Sequence, residues 1–228
     1  MDSRCHGNGG LCGVKAKLTS FYQQTFESVI VITDNKQSTN SMPINSIRTG
    51  NFIRPDAVLR DVGIKEGMKV VHLGCGPGFY VIPAAKFVGP SGRAVGIDIR
   101  EQSLQTLRHK AKMEGLDNVD VIRGDLEKEG GSHLPNAWAD LVIMVNILHQ
   151  SDPRKVMAEA VRILRPEVGR LLTIEWEVTN VPMGPPVDDR ITPDTILAAA
   201  KSNNLVVLRR FKPSSYHFSF LFARAIAG

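Results

Sequence analysis

The sequence predicts an α/β fold, a three-layer sandwich around a mostly parallel seven-stranded sheet that closes with a C-terminal antiparallel hairpin. Three observations carry this reading. From about residue 52 onward, β-branched and apolar runs alternate with segments of helical spacing, the pattern of repeated βα units. Asp140 to Val145 is apolar almost throughout, as a parallel strand buried on both faces should be. Finally, Leu205 to Phe211 and Tyr216 to Ala223 read as strands joined only by Lys212 to Ser215, and so short a connection makes the pair antiparallel.

The elements follow in order. Pro55 opens a helix through Asp56, Val58 and Leu59, and Gly63 and Gly67 punctuate the turn after it. Lys69 to Leu73 is the first strand, Pro83 to Phe87 suggests the next helix, and Arg93 to Ile99 is the second strand. Gln102 to Met113 places Leu104, Leu107 and Ala111 on one helical face. Val119 to Arg123 gives the third strand, and Asp140 to Val145 the central fourth. Ser151 or Asp152 caps a helix with Pro153 in its first turn and Met157, Ala160, Val161 and Leu164 as its buried stripe. Gly169 to Trp176 is the fifth strand, and Thr192, Pro193 and Asp194 repeat the cap signature ahead of Ile196, Leu197 and Ala200.

Ahead of this series, residues 1–15 and 34–47 are rich in Gly, Asn, Ser, Thr and Gln, a composition that buries little apolar surface and favours flexibility. Between them Leu18, Phe21, Tyr22, Thr25, Phe26 and Val29 recur at helical spacing. They predict an amphipathic helix that covers the main domain as a lid, or else a plain N-terminal decoration, with Met42 an alternative start. The expected division is a flexible extension over 1–50 and one domain over 51–228.

Composition narrows the function. Hydrophobic content of 43% and charged content of 22% over 228 residues are those of a globular chain rather than a disordered or fibrous one. The longest apolar runs fall far short of a membrane span, and no apolar core of a secretion signal follows Arg4 and His6, so a cytoplasmic location is expected. Cys5, Cys12 and Cys75 form no CxxC pair, which supports neither a disulfide framework nor a metal site. The net charge of +5 equals the charge of the tail, where Lys201, Arg209, Arg210, Lys212 and Arg224 stand without an acid. Five charges spread over that length read as a solvated face, and no recognisable nucleic-acid module accompanies them.

The chemistry gathers at strand ends. Gly74-Cys75-Gly76-Pro77-Gly78 lies between a strand and a helix, where a chain turns sharply and a ligand can approach the bare backbone. Its GxGxG spacing differs from the GxGxxG of dinucleotide-binding enzymes, and a glycine-rich turn without ligand is the competing reading. Asp98 closes the second strand, where a carboxylate can accept two ribose hydroxyls, and Asp125 closes the third, where it can accept from an adenine amino group. Each acid alone equally suits a helix cap; three strand ends in order favour a ligand site.

VVHLGCGPGF, AVGIDI, VIRGDLE, ADLVIMVNILHQ and VRILRPEVGRLLTIEW resemble the successive motifs of class I methyltransferases, over roughly residues 52 to 178. The likeness is strongest to the branch holding ubiquinone and menaquinone C-methyltransferases and arsenite methyltransferases. It implies a Rossmann-like sandwich and S-adenosylmethionine as cofactor. It also implies residue roles: Gly74, Cys75, Gly76 and Gly78 for the loop around the methionine part, Asp98 for the ribose, and Asp125 for the adenine amino group. Ile99 and Leu126 would flank the adenine, and Asn146 would face the cofactor near its methionine part. The sequence departs from the pattern at His72, where the family has Asp or Glu facing the cofactor's amino group. It departs again at Arg165-Pro166-Glu167-Val168-Gly169, in place of a Pro-Gly-Gly turn. With an ordinary pKa of about 6.5, His72 is expected to titrate, and to weaken the cofactor, between about pH 7.5 and 5.5.

Methyl transfer needs alignment more than side-chain chemistry, but an oxygen or carbon acceptor requires a base, for which His149 and His217 are the candidates. Tyr80, Trp176 and Tyr216 are the aromatics expected near the pocket. The domain is compact and lacks an appended nucleic-acid module of recognisable sequence, which favours a small-molecule acceptor; arsenite is disfavoured because the three cysteines do not sit where its thiolates would. A nucleotide-dependent oxidoreductase and a non-catalytic cofactor-binding protein are the competing functions.

Overall fold

Apolar runs of five to seven residues become parallel strands here because helices cover both of their faces. The computed structural model describes residues 52–180 and 183–225, all within a unit spanning Asn45–Gly228; the expected flexible extension over 1–50 and the expected lid helix lie outside the described residues. The strands are β1 (Lys69–Leu73), β2 (Arg93–Asp98), β3 (Val119–Arg123), β4 (Leu141–Val145), β5 (Arg170–Trp176), β6 (Leu205–Ser214) and β7 (His217–Arg224). They form one sheet in the order β3-β2-β1-β4-β5-β7-β6. The first five pair in parallel, and β7 runs antiparallel between β5 and β6. The seven-stranded mixed sheet and terminal hairpin are those expected.

Helices α1 (Pro55–Asp61), α2 (Val81–Val88) and α3 (Glu101–Met113) cover one face, and α4 (Pro153–Ile163) and α5 (Pro193–Ser202) the other. Alternation along each strand feeds both cores. Val70, Ala94, Leu141 and Ile143 pack toward Leu104 and Leu107, whereas Val71, Val95, Val142 and Met144 pack toward Met157, Ala160 and Ile196. Phe218, Phe220 and Phe222 of β7 are fully buried in the second core. Asp152 caps α4 by accepting from the Arg154 N–H, and Thr192 caps α5 through Thr195.

Two local expectations are corrected. α2 begins at Val81, two residues before Pro83, because proline fits the first turn of a helix as readily as its start. β6 runs through Lys212 and Pro213 to Ser214, which pairs with His217, so the hairpin tip is Ser215 and Tyr216 alone. Proline donates no ladder hydrogen bond; the strand carries it at an irregularity in register between Phe211 and Ser214. The basic tail is the solvated face expected, with Arg209 paired to Asp61 of α1 and Lys212 Nζ 2.7 Å from Glu177.

One buried acid shapes the loop after β3. Glu159 of α4 accepts from the Gly130 and Ser132 N–H groups at 3.0 and 2.9 Å and from Arg162 at 2.8 and 2.7 Å. Burial pushes its carboxyl pKa up, but these donors outweigh it and bring the value down to about 2. The anchored loop sits tight against the end of β3, for a Cβ at Gly131 would strike the Asp125 carbonyl.

Candidate active site

Strand order reverses between β1 and β4, and ligands of open α/β sheets bind outside the carboxyl ends of strands at such a switch point. A cavity of about 580 Å³ opens there, within the usual range for small-molecule sites.

Gly74, Gly76 and Gly78 all hold left-handed backbone, with φ of 68°, 51° and 86°, which glycine adopts without steric cost. Their surroundings differ. A Cβ at Gly74 would strike Ile147, whereas nothing lies within 4 Å of one at Gly76, so its backbone is bare toward the cavity. A Cβ at Gly78 would strike Leu107 of α3, and Gly78 is not among the residues lining the cavity. The approach of Leu107 is thus a packing reason for glycine at this position. Cys75 lines the cavity as an uncharged thiol, its pKa pushed up to about 12 by burial and by the charge of Asp98.

Asp98 ties the loop to β2. Its Oδ2 accepts from the Gly76 N–H at 2.8 Å, and its Oδ1 from the Arg100 N–H at 2.9 Å and the Arg100 Nε at 3.3 Å. Burial raises its pKa and these donors lower it further, so the group is held below the usual carboxylate range. Asp125 also lines the cavity; the Glu127 N–H at 3.2 Å and then Lys128 hold its pKa down. Ile99 and Leu126 line the same end, the first exposed and the second buried.

At the other end, polar atoms stand without partners. His72 is 4% exposed and neither ring nitrogen has a hydrogen-bond partner; Tyr80, edge-on to it at 5.5 Å, has a buried hydroxyl in the same condition. Asn146 Oδ1 is likewise buried and unpaired, and all three residues line the cavity. Buried polar groups left unpaired cost about 1 to 3 kcal/mol each, so their collection at one wall makes it a candidate ligand site. Burial drives the His72 pKa down to about 4 against the pull of Asp98. The expectation that His72 titrates between pH 7.5 and 5.5 is therefore corrected: its imidazole is neutral across that range.

Neither candidate base lines the cavity. His149 sits in a one-turn 3-10 segment after β4, beside Gln150 and Ser151, which do line it. Its Nδ1 meets Glu175 Oε2 at 3.0 Å, while Oε1 of the same acid accepts from the Leu148 N–H at 2.7 Å. His217 has both nitrogens engaged, Nδ1 with Ser214 Oγ at 2.9 Å and Nε2 with Asn146 Nδ2 at 3.3 Å. Burial, and then the charge of Arg190, push its pKa down to about 4. A base needs a free nitrogen and an affinity for protons, and His217 offers neither in this arrangement. Of the expected aromatics only Tyr80 lines the cavity; Trp176 stacks on His217 with ring centroids 4.0 Å apart, and Tyr216 occupies the hairpin tip.

Sequence reading missed Glu175, Ser214 and Arg100. Arg100 carried a signal, being two residues past a strand-end acid; the other two reach the site only through strand pairing. Among the described residues no group of three or more His, Cys, Asp or Glu is placed to hold a metal, and no helix is long and apolar enough to cross a membrane.

The methyltransferase domain family matches residues 64–198, and the chain belongs to that family, in its class I, S-adenosylmethionine-dependent group. A demethylmenaquinone methyltransferase of Staphylococcus aureus is 29% identical over 129 residues, which are 55% of this chain and 50% of the relative. An uncharacterized 37.1 kDa protein of a Streptomyces fradiae transposon is 37% identical over 122 residues, 51% of this chain and 33% of the relative. The chain thus spans half or less of the length of these curated relatives. The crystal structure of a SAM-dependent methyltransferase from Aquifex aeolicus superposes with a TM-score of 0.69 at 29% identity, covering 75% of this chain and 89% of that one.

Proposed function

We propose that this chain transfers a methyl group from S-adenosylmethionine to a small-molecule acceptor. The observation that carries the proposal is the two-ended cavity, with buried polar atoms of His72, Tyr80 and Asn146 unpaired at one end and Asp98 and Asp125 at the other. The residues fit the cofactor. The unpaired groups and the bare backbone of Gly76 suit its amino-acid part, Asp98 its ribose, and Asp125 with Ile99 and Leu126 its adenine. Asp98 already accepts three hydrogen bonds of the roughly four a carboxylate can take. The Arg100 side chain is 65% exposed and yields its place to a ribose hydroxyl.

Bound there, S-adenosylmethionine supplies a methyl carbon activated by its sulfonium. The protein's part is to hold an acceptor within ~3 to 3.5 Å in line with that carbon and to exclude water. Where the acceptor carries a proton, His149 is the base. Glu175 holds its Nδ1, which makes Nδ1 the donor nitrogen and leaves the Nε2 lone pair free.

Incubation of the protein with methyl-labelled S-adenosylmethionine and a metabolite extract, followed by mass identification of labelled products, tests the proposal. A labelled small molecule is the expected result; binding without turnover against a broad acceptor panel would make the chain a non-catalytic binder. In the same assay His149→Gln should lower kcat by about a hundredfold or more if His149 is the base. A loss under tenfold would leave it a structural partner of Glu175.

A further inference from the structure

The backbone of Asn146 is fixed on both sides. Its N–H donates to the Ile174 carbonyl at 2.9 Å, its carbonyl accepts from Gln150 Nε2 at 3.0 Å, and its φ of 53° lies in the left-handed region, which asparagine tolerates better than most residues. Only the side-chain amide is left to turn, and its two ends are chemical opposites, one donating and one accepting.

His217 removes that freedom. Asn146 Nδ2 lies 3.3 Å from His217 Nε2. An amide nitrogen only donates, so Nε2 must carry the lone pair and the ring proton must sit on Nδ1. From there it is donated to Ser214 Oγ at 2.9 Å, an oxygen that also accepts the Tyr216 N–H at 3.1 Å. Ser214 is fully buried, and the imidazole packs against Trp176 with ring centroids 4.0 Å apart and planes tilted by 38°. With Nδ2 engaged, Asn146 presents Oδ1 as its free end, buried and unpaired in a residue that lines the cavity.

We infer that Ser214 and His217 form a positioning pair that locks the Asn146 amide with its oxygen toward the cavity, as an acceptor for the ammonium group of the bound cofactor. This rests on the cofactor reading above. Of the donor groups of S-adenosylmethionine, the ribose hydroxyls fall to Asp98 and the adenine amino group to Asp125, which leaves the ammonium. A reversed amide would turn N–H groups toward that cation.

Two measurements decide the matter. Nitrogen NMR of histidine-labelled wild-type protein at neutral pH should show the His217 proton on Nδ1; a proton on Nε2 overturns the lock. Calorimetric titration with S-adenosylmethionine should show affinity about tenfold weaker in His217→Phe, which keeps an aromatic ring on Trp176 but frees the amide. Adding Asn146→Asp, whose oxygens both accept whichever way the group turns, should bring affinity back to within about threefold of wild type. Unchanged affinity in His217→Phe, or no recovery in the double variant, overturns the positioning role. Wild-type protein that does not bind S-adenosylmethionine would overturn the cofactor reading and the ammonium's place with it, while the tautomer would still decide whether the lock exists.

Discussion

Burial decides the chemistry of His72. Charging an imidazole out of reach of water costs more than the nearby Asp98 returns, so its pKa is about 4 and the group meets any ligand as a neutral donor and acceptor. S-adenosylmethionine affinity should then show no His72-dependent change from pH 7.5 to 5.5 and should fall only as pH approaches 4. A clear decline between 7.5 and 5.5 that vanishes in His72→Gln would contradict this. The same shift acts on stability. The folded pKa lies below the unfolded value of 6.5, so the unfolded chain binds this proton more readily. The contribution is complete above about pH 6.5 and is lost as pH falls toward 4, by about 3 kcal/mol. Urea unfolding at neutral pH and near pH 4.5 should show the loss, with His72→Gln retaining less of the slope; His217, with the same direction and cause, supplies a second such step.

At the scale of elements, what was legible depends on how local the signal is. β1, β2, β4 and β5 were readable because parallel strands covered on both faces are largely apolar runs, and the glycine loop, Asp98 and Asp125 because strand-end motifs are contiguous in sequence. The end of β6 was not, since Pro213 reads as a turn residue unless the irregularity in the ladder is known. Glu175 was not, because it meets its partner across the sheet, from β5 to the turn after β4; Ser214 was not, because it meets His217, three residues on, only once the hairpin tip is known to be two residues long. Gly78 was legible as a glycine but not for its reason, the approach of Leu107. Glu159 illustrates an element-scale dependence that sequence conceals. Glu159→Ala strips the Gly130 and Ser132 N–H groups and Arg162 of their acceptor, and should cost about 3 kcal/mol in denaturant unfolding. Its folded pKa lies below the unfolded value of 4.5, so in wild type this contribution is present above that pH and fades as pH falls toward 2. An exposed carboxylate would show neither effect.

At the scale of the molecule, the order of strands puts the ends of β1, β2, β3 and β4 around one cavity, so four separate motifs face a single space. The wall nearest His72 offers neutral unpaired groups, and the wall formed by Asp98 and Asp125 offers carboxylates held ionised by their own hydrogen bonds. A ligand suited to both is long, with hydroxyl and amino donors at one end and charged amino-acid groups at the other, which is the description of S-adenosylmethionine. The most direct test is calorimetric titration of S-adenosylmethionine into wild type and Asp98→Ala, with circular dichroism to establish that both are folded. Hydrogen bonds to charged groups contribute about 1.5 to 3 kcal/mol each. Wild type should therefore bind at one site and Asp98→Ala at least about tenfold more weakly, whereas equal affinities in two folded proteins, or no binding by wild type, would contradict the assignment of this cavity.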